Sequence, residues 1–124
     1  MASRVVIVDD DAAVRKALVR LVGAAGYQVD ACASAEEYLA REPLAPPACL
    51  VLDIRMPGMT GLELQGAIEG TRLALPIVFV TGHGNDDDRR QALDSGAVDV
   101  LDKPLDEAVL LTAIARALAT SRPR

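Results

Sequence analysis

The sequence predicts an α/β fold with one doubly wound parallel sheet that has helices on both faces. Short apolar runs alternate with segments of helical period, and five strand-helix units of this kind fit into the 124 residues. Three runs are apolar throughout, as in central strands that are covered on both faces: residues 5–8, 49–52 and 77–80. The length suits one domain, which we expect to cover residues 1–120, with residues 121–124 as a tail or the start of a linker.

The second and fifth strands are expected at the edges of the sheet. Their runs, residues 27–31 and 98–101, both contain polar residues, which suits a strand that water reaches. With right-handed crossovers and the apolar strands in the middle, the simplest strand order is 2-1-3-4-5, the order called flavodoxin-like.

Apolar stripes and capping residues predict the helices. The first helix has a stripe followed by Gly26, which suits a left-handed C-cap. The stripe consists of Val14, Leu18, Leu21, Val22 and Ala25. Ser34–Glu37 and Thr60–Glu63 match the capping box, in which a hydroxyl and a carboxylate each bind a backbone N–H, so they should begin helices two and three.

The last two helices have signals of their own. Asn85 should cap helix four, and the aspartates at positions 86–88 lie where the positive end of a helix dipole favours negative charge. Gly96 should end this helix. Helix five is expected from about Asp106 to about Thr120.

Polar side chains follow the predicted strands, with edge strand two as the exception. They are Asp9, Asp10 and Asp11 after strand one, Asp53 after strand three, Thr81 after strand four and Lys103 after strand five. Ligands of open parallel sheets bind beyond these carboxyl ends, where the strand order reverses. Carboxylates from neighbouring strands would repel one another without a cation among them, so the pattern predicts a metal site. Asp11 could instead cap the first helix.

The residue types favour a hard cation and a phosphoryl group. Mg²⁺, with Mn²⁺ as the alternative, prefers carboxylate oxygens, which Asp10 and Asp53 could offer directly and Asp9 through water. Thr81 and Lys103 would suit a phosphoryl group on Asp53. The chain contains eleven Arg and two Lys, so a Lys at this strand end suggests a need for a compact ammonium group.

Four segments at these positions resemble the receiver domain of two-component response regulators, in particular its FixJ-like subgroup. They are VIVDDDAAVR, LVLDIRMPGMTGLEL, IVFVTGHG and GAVDVLDKP, and the resemblance covers essentially the whole chain. It implies that Asp53 accepts a phosphoryl group from the phosphohistidine of a sensor histidine kinase or a phosphotransfer protein. It also implies that Asp9, Asp10, Asp53 and the backbone carbonyl of Arg55 bind Mg²⁺.

The resemblance assigns roles to further residues. Thr81 would be the switch hydroxyl, and Lys103 would be the cation that pairs with the phosphoryl oxygens. Arg55 and His83 would tune the lifetime of the phosphoryl group. The Lys103–Pro104 peptide bond would be cis.

Val100 departs from the family pattern, which usually has a Tyr or Phe that swings inward as the switch hydroxyl moves. Phosphorylation chemistry should survive, but coupling to the surface of helix four and strand five would depend on smaller packing changes. The chain is interpreted as a signalling phosphoacceptor, not a dedicated enzyme, that controls an output. Transcription through a downstream helix-turn-helix domain is the leading expectation for that output.

Three alternatives compete with this interpretation. An aspartyl-phosphate phosphatase would have a second acid where Arg55 stands, and a nucleotide-binding domain would have a glycine-rich turn after strand one. The stronger alternative is a receiver-like protein-interaction module that works without phosphorylation, since Val100 shows that part of the switch is missing. The complete set of acidic residues with Thr81 and Lys103 argues against it.

Composition limits the partners. The net charge of −5 and the three aromatic residues argue against direct nucleic-acid binding by this domain. No apolar run approaches the roughly 20 residues of a membrane span, and no export signal precedes the first aspartates, so we expect a cytoplasmic chain without membrane contact.

Cys32 and Cys49 should be reduced packing residues. A homodimer through the surface of helix four and strand five is the expected self-association.

Overall fold

The computed structural model describes residues 3–82 and 85–121 and contains a five-stranded parallel sheet with helices on both faces. The strands are β1 (Arg4–Val8), β2 (Gln28–Cys32), β3 (Ala48–Asp53), β4 (Ile77–Thr81) and β5 (Asp99–Asp102). The helices are α1 (Ala12–Ala24), α2 (Ala35–Leu39), α3 (Gly61–Ile68), α4 (Asp86–Asp94) and α5 (Glu107–Thr120). The strands lie in the order β2-β1-β3-β4-β5, which confirms the predicted order. Within the described part of the chain, none of the helices combines the length and apolarity needed to cross a bilayer.

The register of the sheet brings the carboxyl ends of β1 and β3 side by side. Val8, the last residue of β1, pairs with Leu52 of β3 on one side and with Cys32 of β2 on the other. Asp9 follows Val8 and Asp53 follows Leu52, so each aspartate lies one residue beyond this pair on neighbouring strands. Because the strand order reverses between β1 and β3, these residues lie where open sheets of this kind bind ligands.

Helices on the two faces make two apolar cores. One core lies between the sheet and α2, α3 and α4 and includes Phe79 and Leu64. The other lies between the sheet and α1 and α5 and includes Ile7 and Ile114. All six residues of β3 are buried, and full burial of a Leu or Ile side chain stabilises by about 1.5–3 kcal/mol. The strand that carries Asp53 is therefore firmly fixed.

The predicted caps of α3 and α4 are confirmed. The Thr60 hydroxyl accepts a hydrogen bond from the N–H of Glu63, whose carboxylate accepts one from the N–H of Thr60. Asn85 accepts from a backbone N–H in the first turn of α4, and Asp106 does the same for α5. Gly96 follows α4 with a φ of 100°, the left-handed region that glycine adopts readily.

The structure differs from the prediction at α1 and α2. The Ser34 hydroxyl accepts from the N–H of Glu37 as expected, but the Glu37 carboxylate accepts from the N–H of Ala33 instead of that of Ser34. The backbone of Ser34 is fully extended, with φ −154° and ψ 163°, so the N–H one residue earlier meets the carboxylate. Ala25 is an exposed C-cap and not part of the buried stripe, because the chain turns at Gly26.

Strands β2 and β5 each lie one residue later than predicted. Pairing with the neighbouring strand, and not the extent of the apolar run, sets their bounds. Gln28 begins β2 opposite Arg4, and Asp102 ends β5 opposite Thr81. A single sequence shows apolar runs but not the register of their partners.

The two cysteines are buried, free thiols at opposite ends of their strands. Cys32 pairs with Val8 at the carboxyl end of β2, whereas Cys49 pairs with Val5 near the amino end of β3. Strand β1 therefore lies between them. Burial raises the pKa of the Cys49 thiol to about 12, which keeps it protonated at neutral pH.

Candidate functional site

Three carboxylates meet at the carboxyl ends of β1 and β3. Asp9 and Asp10 directly follow β1, and Asp53 is the last residue of β3. One oxygen from each of them lies within 4.8 Å of the others. Asp9 and Asp53 are 2% and 8% exposed, while Asp10 faces solvent. Oxygen donors at this spacing, with one side open to water, fit a hard divalent cation that retains water ligands.

Lys103 supplies a positive charge to the three carboxylates. Its Nζ lies 3.3 Å from Asp9 Oδ2 and 3.8 Å from Asp53 Oδ2. The residue follows β5, where its backbone N–H donates to the carbonyl of Thr81, and the Lys103–Pro104 peptide bond is cis. One ammonium facing three carboxylates leaves an excess of negative charge, so the donor set has room for a further cation.

The environment of Asp53 raises the pKa of its carboxyl to about 6. Burial is the largest cause because it penalises the ionised form. The Lys103 ammonium and the N–H of Arg55 lower this pKa, while the charges of Asp9 and Asp10 raise it. The ionised carboxylate is therefore disfavoured at this position, and a bound cation would stabilise it.

Hydrogen bonds fix the loop that carries Asp9. Its Oδ1 accepts from the N–H of Asp11 at 2.9 Å, and its backbone carbonyl accepts from Arg15 Nη1 at 2.7 Å. Asp11 is the N-cap of α1, since its carboxylate accepts from the N–H groups of Ala13 and Val14. Arg15 was not predicted as a site residue. It is one of many arginines, and its sequence context does not distinguish it.

Thr81 and Asp53 end neighbouring strands. Asp53 pairs with Val80, and Thr81 pairs with Asp102 of β5. Thr81 is buried at 1% exposure. An open cavity of about 330 Å³ lies beside these strand ends and is lined by Asp10, Asp11, Val14, Asp53, Arg55, Gly82 and Lys103. The structure thus brings Asp9, Asp10, Asp53 and Lys103 together, with Thr81 on the next strand.

A close backbone contact holds the end of β3. The N–H of Gly61 donates to the carbonyl of Ile54 at 2.8 Å. A Cβ on Gly61 would lie only 2.1 Å from the carbonyl oxygen of Asp53, so α3 can approach β3 this closely only with a glycine here. The sequence showed Gly61 as part of a capping box. Its packing role depends on the approach of α3 to β3, which no local pattern reveals.

Arg55 connects the site to α4. Its backbone N–H donates to Asp53 Oδ1 at 3.3 Å, and its Nη2 lies 2.5 Å from Asp88 Oδ2 in the first turn of α4. The ion pair between Arg55 and Asp88 was not predicted, because the two residues are far apart in sequence. His83, which was predicted together with Arg55 to set the lifetime of a phosphoryl group, lies outside the described residues.

Val100 is buried in the core between the sheet and α4. Its N–H donates to Asp99 Oδ1 at 2.8 Å, and its carbonyl accepts from Arg89 Nη1 at 2.7 Å. Arg89 also contacts both carboxylate oxygens of Asp102 at 2.8 Å. The sequence did not single out Arg89, which joins α4 to the edge strand β5.

Comparison with known proteins gives independent evidence on the family. The model for the response regulator receiver domain matches residues 5–115. Nodulation protein W of Bradyrhizobium diazoefficiens is 38% identical over 120 residues, which cover 97% of this chain and 53% of that protein. The transcriptional regulatory protein FixJ of Rhizobium meliloti is 39% identical over 111 residues, which cover 90% of this chain and 54% of FixJ.

A solved structure agrees with these matches. The crystal structure of FixJ-N has a TM-score of 0.90 and 35% identity with this chain, and the match covers 100% of this chain and 99% of that one. The chain spans about half the length of the curated relatives it matches. The strand order, the family match and these relatives together show that the chain belongs to the response regulator receiver domain family, with FixJ among its relatives.

Proposed function

We propose that this receiver domain accepts a phosphoryl group on Asp53 from the phosphohistidine of a sensor histidine kinase or a phosphotransfer protein. The environment of Asp53 is the observation that carries the proposal. The carboxylate ends a buried central strand, lies 3.8 Å from Lys103 Nζ, and borders an open cavity. Receiver domains of response regulators interact with histidine kinases, so membership of the family supports the class of donor.

The proposed transfer is an in-line displacement at phosphorus. An ionised carboxylate oxygen of Asp53 forms the new O–P bond while the N–P bond of the phosphohistidine breaks. The imidazole nitrogen leaves with the electron pair of that bond and takes up a proton. The ammonium of Lys103 is close enough to pair with the charge of the transferred group. Positioning and charge neutralisation of this kind supply most of the catalysis in phosphoryl transfer.

The same carboxylates would bind the metal ion. Asp9, Asp10 and Asp53, with the backbone carbonyl of Arg55, would hold Mg²⁺ or Mn²⁺, and the spacing of the carboxylate oxygens supports this set. The bound ion would neutralise charge on the phosphoryl oxygens. Hydrogen bonds from α1 and its capping residue keep Asp9 oriented toward the cluster.

Thr81 is the proposed switch residue. It ends β4 beside Asp53, where its hydroxyl could donate to a phosphoryl oxygen. Arg55, which lines the cavity, and His83 would set how long the phosphoryl group persists. Val100 is an aliphatic residue in a filled core, so we expect the packing changes around it to be small.

The proposal extends to the output of the domain. The receiver domain would occupy residues 1–120, with the following residues as a tail or a linker. Transcription is the proposed output, because the relative FixJ is named as a transcriptional regulatory protein. Any contact with DNA would belong to another domain, and the whole protein would act in the cytoplasm. Self-association would use the surface of α4 and β5, and phosphoryl loss would be slow and self-catalysed.

One alternative is favoured by a specific observation. Val100 replaces the aromatic residue that the family usually has, and its side chain is buried. A receiver-like module that binds its partner without phosphorylation would tolerate this change. The alternative predicts that Asp53 stays unmodified under all conditions.

Intact mass after incubation with acetyl phosphate tests the proposal. We expect one phosphoryl adduct that requires Mg²⁺, is absent in Asp53→Asn, and is retained in Asp102→Asn. Asp102 is a matched control because it is an exposed carboxylate at the end of β5, which β4 separates from β3. No adduct under any condition, together with no binding of Mg²⁺, would instead support the phosphorylation-independent module.

A further inference from the structure

Helix α4 is weakly anchored by apolar packing. Ala92 is its one buried residue, whereas α5 buries five residues. Polar contacts therefore hold much of α4 in place. Gln65 Nε2 donates to the carbonyl of Ala92 at 3.0 Å, and Arg89 joins the helix to β5. A helix held in this way needs little free energy to shift or open locally.

The ion pair between Arg55 and Asp88 is the contact that links α4 to the phosphorylation site. The Asp88 side chain is 13% exposed, whereas that of Arg55 is 53% exposed. Asp88 is thus the fixed partner, and Arg55 is the partner that solvent surrounds. Arg55 is two residues from Asp53 in the chain and lines the same cavity. The Arg55 side chain therefore borders the cavity beside Asp53 while its guanidinium contacts Asp88.

Phosphorylation of Asp53 would create a competing acceptor for Arg55. A phosphoryl group carries a charge of about −1.5 to −2 and three strong acceptor oxygens. Asp9, Asp10 and the phosphoryl group would together carry more negative charge than Lys103 and a bound Mg²⁺ neutralise, so the site would attract a further cation. A guanidinium can bind phosphoryl oxygens with two parallel hydrogen bonds, which favours the new acceptor over a single carboxylate oxygen.

We propose that Arg55 is a relay between Asp53 and α4: its guanidinium holds Asp88 in the unmodified protein and moves to the phosphoryl group after phosphorylation, which releases the first turn of α4. The relay rests on the proposed function, because it needs phosphorylation of Asp53. Arg89 binds β5 and Gln65 binds Ala92, so these contacts do not involve Arg55 and would hold the rest of α4 while its first turn loosens. The relay would couple Asp53 to the surface of α4 although position 100 holds a valine and not an aromatic residue.

Amide hydrogen exchange of residues 86–94 tests the relay, with intact mass on the same samples. The informative variant is Asp88→Asn, and the matched control is Asp87→Asn. Each removes one negative charge from the first turn of α4, so their effects on the helix dipole are similar. Of Asp87 and Asp88, the one in an ion pair with Arg55 is Asp88. The hydrogen bond from the N–H of residue 88 to Asn85 uses a backbone donor, so neither substitution removes that donor.

We expect unmodified Asp88→Asn to exchange about two- to five-fold faster in α4 than unmodified Asp87→Asn, the range for loss of an exposed ion pair. Phosphorylation should speed exchange by a similar factor in the parent protein and in Asp87→Asn, and should change Asp88→Asn very little. Equal responses of all three phosphorylated proteins would overturn the relay, as would equal exchange in the two unmodified variants. A parent protein without an adduct would overturn the relay together with the proposed function, and the mass measurement separates that outcome from failure of the relay alone.

Discussion

Lys103 and Asp53 form an ion pair that the lysine shares with a second strand, because its Nζ lies 3.8 Å from Asp53 Oδ2 and 3.3 Å from Asp9 Oδ2. One ammonium therefore serves two buried carboxylates from neighbouring strands. Burial raises the pKa of Asp53 to about 6, although the Lys103 ammonium acts to lower it. Loss of this ammonium would therefore affect the charge balance at both carboxylates.

Replacing Lys103 by Gln should slow phosphorylation of Asp53 by about 100-fold, the scale for loss of one preorganised group that stabilises transition-state charge. The reason is the loss of the ammonium that, in the proposed function, pairs with the transferred group. The initial rate of adduct formation with acetyl phosphate, followed by mass, measures the effect. Lys16→Gln is the control, since Lys16 is exposed on α1. A rate in Lys103→Gln equal to that of the control would refute this role.

Asp53→Asn should stabilise the metal-free protein at neutral pH. The pKa of Asp53 is about 6 in the folded protein against an ordinary 3.8, so the folded state binds more protons than the unfolded state between these values. The contribution of Asp53 to stability is thus present below about pH 4, falls as the pH rises, and stays lost above about pH 6. We expect a gain of about 1–3 kcal/mol at pH 7.5 that disappears near pH 4, measured by urea unfolding in chelator. A gain of the same size at both pH values would show that burial of the charge is not its cause.

Magnesium should raise the melting temperature of the parent protein, because the proposed site would bind the ion only in the folded state. Asp10→Asn should weaken this binding by at least about 10-fold, because loss of even an outer-shell partner of a metal ligand costs about 10- to 100-fold. Thermal unfolding across a Mg²⁺ titration measures the difference. Asp11→Asn is the control, since Asn is an equally good N-cap and Asp11 caps α1. The metal assignment fails if Asp11→Asn loses more affinity than Asp10→Asn.

Gly61→Ala should destabilise the protein by about 2–4 kcal/mol, because the new Cβ would meet the carbonyl oxygen of Asp53 at 2.1 Å. Gly66→Ala on the same helix is the matched control. A Cβ there meets nothing within 4 Å, so the substitution should stabilise by about 0.5–1 kcal/mol through helix propensity. Denaturant unfolding of both variants checks the pair. Equal stability of the two would mean that α3 does not press on the end of β3.

The strand order could be predicted because it depends on patterns that a single chain displays. The apolar runs of β1, β3 and β4 mark central strands, and the polar residues in β2 and β5 mark edges. The capping box at Thr60 is equally local, since both partners lie within one turn. The acidic cluster followed from the rule that parallel strands end at one edge of the sheet.

Contacts between residues far apart in sequence could not be predicted in the same way. The pairing of Arg55 with Asp88 depends on where α4 lies, and the tight fit at Gly61 depends on the distance from α3 to β3. The hydrogen bond from Arg15 to the carbonyl of Asp9 involves a backbone atom, which no residue type signals. No pattern in the sequence predicts these three contacts, and each of them involves Asp9, Asp53 or Arg55 at the site.

The hydrogen bonds at Val100 have a consequence for assembly. Strand β5 is one of the two outer strands of the sheet, and outer strands with unpaired backbone groups can pair with other chains and cause aggregation. At Val100 both groups are already occupied, the N–H by Asp99 and the carbonyl by Arg89. A second sheet cannot extend this one at that point through main-chain bonding. Subunits that meet at Val100 would contact each other through side chains there, which would make their association sensitive to salt and to the charge of α4.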